Sequence, residues 1–227
     1  MSIEKITHTE SPNPLLRRGL GEASNPLLQP FKGAYETAPF GSVKIEHYLP
    51  AFEAAIEEAR NEIQEIIDRT DAPTFENTIV ALDIAGERLN RVQNIFFNLN
   101  SAETCDEMQE IAQDIAPKLS DFSNDITLNE QLFARIKAVF EQGEALALNT
   151  EESTLLEKTY RRFVRSGANL KEEDKARYRE ITKELSQLGL KYQQNVLAET
   201  NAYELLVTDE KDLSGLPVSI VEMAVQA

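Results

Sequence analysis

Histidine and cysteine, the side chains that most often bind metals or carry catalysis, are nearly absent: two histidines and one cysteine occur in 227 residues. His8 is followed by Thr-Glu-Ser-Pro and His47 by Tyr-Leu-Pro-Ala. Neither opens His-Glu-x-x-His, whose two imidazoles must stand one helical turn apart to share a zinc ion. His47 reads instead as a helix-start residue in a packing role. Cys105 has no second thiol with which to form an internal disulfide, which fits a reducing compartment and makes the cytoplasm the expected address. It follows a candidate capping residue, Thr104, and a helix start can lower a thiol pKa. With no histidine near it in sequence, Cys105 reads as a thiol without catalytic use. No Gly-x-Ser-x-Gly elbow and no glycine-rich phosphate loop occur. No apolar run approaches 18 residues, which excludes a membrane-spanning helix. Met1–Glu10 carries Glu4, Lys5 and Glu10 without an apolar stretch, so it is not a secretory signal.

What is abundant is negative charge and helical periodicity. The formal net charge of −16 argues against a nucleic-acid partner, because phosphate binding needs a clustered basic surface. The excess is local. Residues 46–157 hold seven basic and twenty-four acidic side chains, whereas residues 158–227 hold eleven of each. A lopsided stretch of this kind reads first as solvated helix faces, and only second as an attraction for basic partners. Acidic pairs such as Glu57 and Glu65, with Asn61 on the same helical face, follow from that composition, and no acid–base role is assigned to them.

With 41% hydrophobic residues the chain can build a core. Residues 1–45 read as an extended arm, rich in Pro (Pro12, Pro14, Pro26, Pro30, Pro39) and Gly, because proline disfavours helix at and before its position. Asn-Pro-Leu-Leu occurs there twice, at 13–16 and 25–28, which is too little for a repeat architecture. From residue 46 to 227 the period becomes helical. A first helix carries Leu49, Phe52, Ile56, Ile63 and Ile66, and Pro73 stops the chain. A second is predicted over about 75–100, striped by Ile79, Leu82, Leu89, Val92, Phe96 and Leu99. A Thr104-x-x-Glu107 capping box is predicted to open a third, kinked or divided at Pro117. Asn129 caps a fourth that ends at Gly143, and a fifth spans about 151–166 with Gly167 as terminator. The longest, about 171–200, has a seam of Tyr178, Ile181, Leu185, Leu188, Tyr192 and Val196. At roughly 1.5–3 kcal/mol per large side chain buried, that seam is expected to be packed. Residues 202–208 read as one short strand whose partner lies outside this sequence. A last helix starts near Pro217 and runs into an apolar ending without a cap, which predicts that the reading frame continues.

One constellation stands out as a candidate site. Lys158, Arg161, Arg162 and Arg165 recur at i, i+3, i+4 and i+7, a single basic face on an acidic molecule. It reads either as solvated surface or as a docking stripe, toward the acidic middle of this chain or toward a further domain.

Several segments resemble, in order, one family of zinc metallopeptidases, that of thimet oligopeptidase, neurolysin, oligopeptidase A and bacterial peptidyl-dipeptidase. They are FGSVKIEHYLPAF (40–52), APTFENTIVAL (72–82), FFNLNSAET (96–104), PKLSDFSNDITLNEQLFARI (117–136), RRFVRSGANL (161–170) and NVLAETNAYELLVTDEKDLSGLP (195–217). The run SNDITLNEQLFARI is most similar to the peptidyl-dipeptidase branch, also called dipeptidyl carboxypeptidase. Residues 1–23 lie outside the pattern. The resemblance implies a mostly α fold, a helical lobe of a clam-like peptidase whose two lobes flank a channel for short peptides. It implies zinc on the other lobe, held by His-Glu-x-x-His and a later Glu, with the motif Glu polarising the attacking water. None of those residues matches a position here. The resemblance therefore implies no catalytic residue and no metal ligand in this chain, zinc only in the full-length protein, and the missing catalytic lobe as partner. The alternatives are a stand-alone helical interaction module, or part of an oligopeptidase that cuts internal bonds.

Overall fold

The computed structural model describes residues 25–226; the arm up to residue 24, with His8 and the first Asn-Pro-Leu-Leu, lies outside the described residues. The structure is 75% helical, and no strand occurs among the described residues. Asn25 opens a single turn at Pro26–Leu28 by accepting the Leu27 amide on its side chain, and Leu27 and Leu28 are buried. Its amide Nδ2 donates to the carbonyl of His47, 2.7 Å away, which ties this segment to the start of the first long helix.

That helix, α1 (Tyr48–Ile67), is the central pillar: it touches the 26–28 turn and most of the helices that follow. Ala51, Ala55 and Ala59 repeat every four residues along it and are fully buried, so neighbouring helices can approach its backbone closely. His47 accepts the Lys44 amide on Nδ1 at 3.0 Å, a turn-fixing role at the helix start.

The expected second helix is divided. Thr74 and Asn77 form a reciprocal cap that opens a wide turn at Phe75–Val80, which continues as α2 (Ala81–Ile84). The chain then breaks at Ala85–Gly86 before α3 (Glu87–Ala102). Gly86 has φ 80°, the left-handed region that glycine enters at least cost, and Glu62 of α1 accepts its amide at 2.7 Å. An apolar stripe continues across the break, so periodicity alone gave no sign of it.

α4 (Asp106–Thr127) corrects two expectations. Its cap position is Cys105, and the Thr104 hydroxyl donates to Asn100 instead, so the Thr104–Glu107 box does not form. Of the kink or division expected at Pro117, the division does not occur: one helix runs through it. An interior proline costs about 3 kcal/mol. Met108, Ala112 and Ile115 before it, and Phe122 after it, are buried, and each large one contributes roughly 1.5–3 kcal/mol. Packing wins.

α5 (Glu130–Phe140) is capped by Asn129 as its sequence predicts, with the Leu132 amide 2.8 Å from Asn129 Oδ1. α6 (Thr150–Arg165) starts at a cap the sequence reading missed, Asn149 with Glu152, and ends at Gly167, φ 91°. The left-handed backbone there favours glycine, and a Cβ would also push Leu170 Cδ1, 2.8 Å away, aside. α5 and α6 close a core around Phe133, Ile136, Phe163, Ile79 and Leu82, with Phe140 and Tyr160 stacked at 4.0 Å. A second aromatic group, Tyr48, Phe52, Phe96 and Phe97, packs edge-to-face between α1 and α3.

α7 (Glu172–Ala202) is the longest helix, and α8 (Val218–Gln226) follows. Between them residues 203–209 are irregular and exposed, so the expected strand at 202–208 is not formed. No partner strand occurs among the described residues to accept its backbone hydrogen bonds. The chain divides into two compact units, the first ending at Leu188 and the second beginning at Gly189.

Candidate functional site

The basic stripe lies on the outer face of α6. Leu156, Thr159 and Phe163 turn inward, while Lys158, Arg161, Arg162 and Arg165 are all exposed, as the 3.6-residue period requires. Arg161 pairs with Glu157 of its own helix at 2.6 Å. The Arg162 guanidinium stands 5.8 Å from the Phe163 ring and lines a cavity of about 470 Å³ between α1, α2, α3, α4 and α6. Leu82, Leu89, Phe122 and Ile126 give that cavity apolar walls, and Asp83 and Asn90 add polar ones. The four cations thus share a face, and Arg162 among them lines this cavity.

A second cleft, about 620 Å³, is lined by four glutamates of the acidic middle. Glu57, Asn61 and Glu65, which share one helical face by sequence, line it with Glu58 and Glu62, and Arg88 pairs with Glu58 at 2.6 Å. Among the described residues no group of three His, Cys, Asp or Glu side chains could hold a metal ion. Cys105 is a half-buried free thiol. No helix among the described residues is long and apolar enough to cross a membrane.

The seam that the sequence expects to pack against something is on α7. Its first half is held by polar groups. Lys175, 5% exposed, bridges Glu130 at 2.7 Å and Glu172 at 2.6 Å. Glu130 first, then Glu172, raises the Lys175 pKa above its ordinary value, and Lys175 in turn lowers that of Glu130. Arg179 pairs with Asp125 at 2.7 Å, Asn124 donates to Thr182 at 2.8 Å, and Lys183 reaches Asp121 at 3.4 Å. Residues 175, 179, 182 and 183 thus form the attached edge. The apolar seam lies about a third of a turn away at 3.6 residues per turn, and it is not packed: Ile181, Leu185 and Leu188 are 40%, 60% and 52% exposed. In the second unit Tyr192, Val196, Leu205, Leu206, Val218 and Met223 are exposed as well.

No protein-family model matches the chain. Individual relatives do. It is 38% identical over 205 residues to the dipeptidyl carboxypeptidase of Salmonella typhimurium and 36% over 203 residues to that of Escherichia coli. It is 34% identical over 204 residues to oligopeptidase A of Haemophilus influenzae. The chain is homologous to the peptidases of the thimet oligopeptidase family. The matches take in 89–90% of this chain and only 29–30% of each relative. The chain therefore spans less than a third of the length of the curated relatives it matches. Both dipeptidyl carboxypeptidases exceed the oligopeptidase A in identity, in line with the run through SNDITLNEQLFARI.

Proposed function

We propose that this chain is the amino-terminal, non-catalytic portion of a zinc-dependent peptidyl-dipeptidase, a cytoplasmic enzyme that releases dipeptides from the carboxyl ends of short peptides. The observation that carries this reading is the match of about 90% of the chain to under a third of two dipeptidyl carboxypeptidases. In it, residues 1–45 are an arm and residues 46–227 a helical lobe that walls the substrate channel. Helical walls admit short unfolded peptides and exclude folded domains. The catalytic lobe brings zinc and its activated water, and this chain brings neither. The stripe of Lys158, Arg161, Arg162 and Arg165 docks within the intact enzyme instead of gripping substrate.

The test uses the protein that joins this chain to a catalytic remainder, and two peptides differing only in a free or amidated carboxyl end. Mass spectrometry should show stepwise loss of two residues from the free peptide alone, abolished by a chelator. Equal internal cleavage of both would make it an oligopeptidase, as the oligopeptidase A relatives suggest; no cleavage would refute the reading. The 227-residue chain, dialysed and analysed for metal, should hold no stoichiometric zinc.

A further inference from the structure

The uncovered seam of α7 carries one step more. We infer that the face formed by Ile181, Leu185 and Leu188 is the seat of the polypeptide corresponding to the remaining two-thirds of the relatives' length. This deepens the reading above and rests on it. Three observations converge.

The face is aimed by the structure. Lys175, Arg179, Thr182 and Lys183 fasten one edge of the helix to Glu130, Asp125, Asn124 and Asp121. Rotating α7 to bury its seam against α4 would break those bonds together. The attachment is thus polar and the free face apolar, the reverse of what a helix does when its own domain is its only neighbour.

The exposure is also concentrated. Nineteen large apolar side chains are exposed among the described residues, and fifteen of them fall between Ile181 and Val225. Scattered exposed apolar residues need no explanation, but Ile181, Leu185 and Leu188 share one face of one helix, and a contiguous apolar face marks an interaction surface. Finally, the relatives supply an occupant of the right kind, since about 70% of their length has no counterpart in this chain. A second copy of the chain would satisfy the chemistry of the seam but leave that length unaccounted for.

The experiment places L185E/L188E in two proteins: the 227-residue chain, and a joined protein in which the chain replaces the aligned part of the Salmonella dipeptidyl carboxypeptidase. In the chain alone, the double variant should leave the denaturation midpoint unchanged. In the joined protein it should raise the rate of limited proteolysis within α7 by about tenfold or more. L185M/L188M should preserve the slow rate, and the single Leu188→Ala should give an intermediate one, which keeps the test readable if the glutamates prevent folding. The inference is overturned by equal proteolysis of joined protein and variant, by unfolding of the chain alone, or by a dimer of the chain that the glutamates dissociate. A joined protein that protects α7 through these leucines yet cleaves no peptide upholds the seat and defeats the proposed function.

Discussion

Residues 48–170 and the part of α7 from Ile181 onward carry the same kind of helical apolar pattern and meet opposite fates. In the first region the stripe residues Ile63, Ile79, Leu82, Val92, Phe96, Ile136 and Phe163 are buried. In the second, residues of equal size at equally regular spacing stand in solvent. The difference is supply of neighbours. α1 is touched on several sides, whereas the seam of α7 faces away from the contacts that hold the helix. Periodicity reports that a face wants cover. It does not report whether this chain provides it.

The comparison breaks most visibly in the first region. Phe96→Ala removes a fully buried ring in edge contact with Tyr48, Phe52 and Phe97. It should lower unfolding free energy by about 3–5 kcal/mol in a denaturant titration. Arg135 is buried on α5 and donates to the carbonyls of Arg69 and Asp71, bracing the loop after α1. Arg135→Ala should cost about 2–3 kcal/mol, because the lost bonds are charge-assisted and sheltered.

A smaller effect sharpens the boundary between the regions. Glu130 has its pKa lowered by Lys175, so its contribution is full above the ordinary carboxylate range and is lost as pH falls through the lowered value. Lys175 has its pKa raised, so its contribution is full up to the ordinary ammonium range and is lost as pH rises through the raised value. Lys175→Met should therefore cost about 1 kcal/mol near neutral pH, and that difference from the parent should shrink in strong acid, measured by thermal melts across pH. The smallest effect belongs to the seam. Leu185→Glu in the chain alone should change stability by no more than about 0.5 kcal/mol, the range of surface substitutions.

Much of the fold was legible because burial and period coincide over α1, α5 and α6, and because Asn129 and Gly167 are local signals that need no tertiary context. The break at Ala85–Gly86 was not legible, since the apolar stripe continues across it and the lock, Glu62, lies 24 residues away. Thr104 offered a capping pattern, but Asn100 took its hydroxyl. Pro117 offered a kink or a division, and the burial of residues on both sides keeps the helix undivided. Residues 202–208 have strand composition, yet a strand exists only with a partner to bond. Of the candidate site, the exposure of Lys158, Arg161, Arg162 and Arg165 follows directly from their spacing. Arg162's place in a cavity wall does not, because the cavity is made by five helices.

The contrast between covered and uncovered helix is tested most directly by amide hydrogen exchange on the 227-residue chain by itself, read by peptide mass spectrometry. Amides of α1 and of α3 to α6 should exchange only with global unfolding, while those of α7 beyond Gly189 and of α8 should exchange with little protection despite their helical backbone. Uniformly strong protection running through α7 and α8 would mean that the chain already covers its own carboxyl-terminal helices, and would contradict the account.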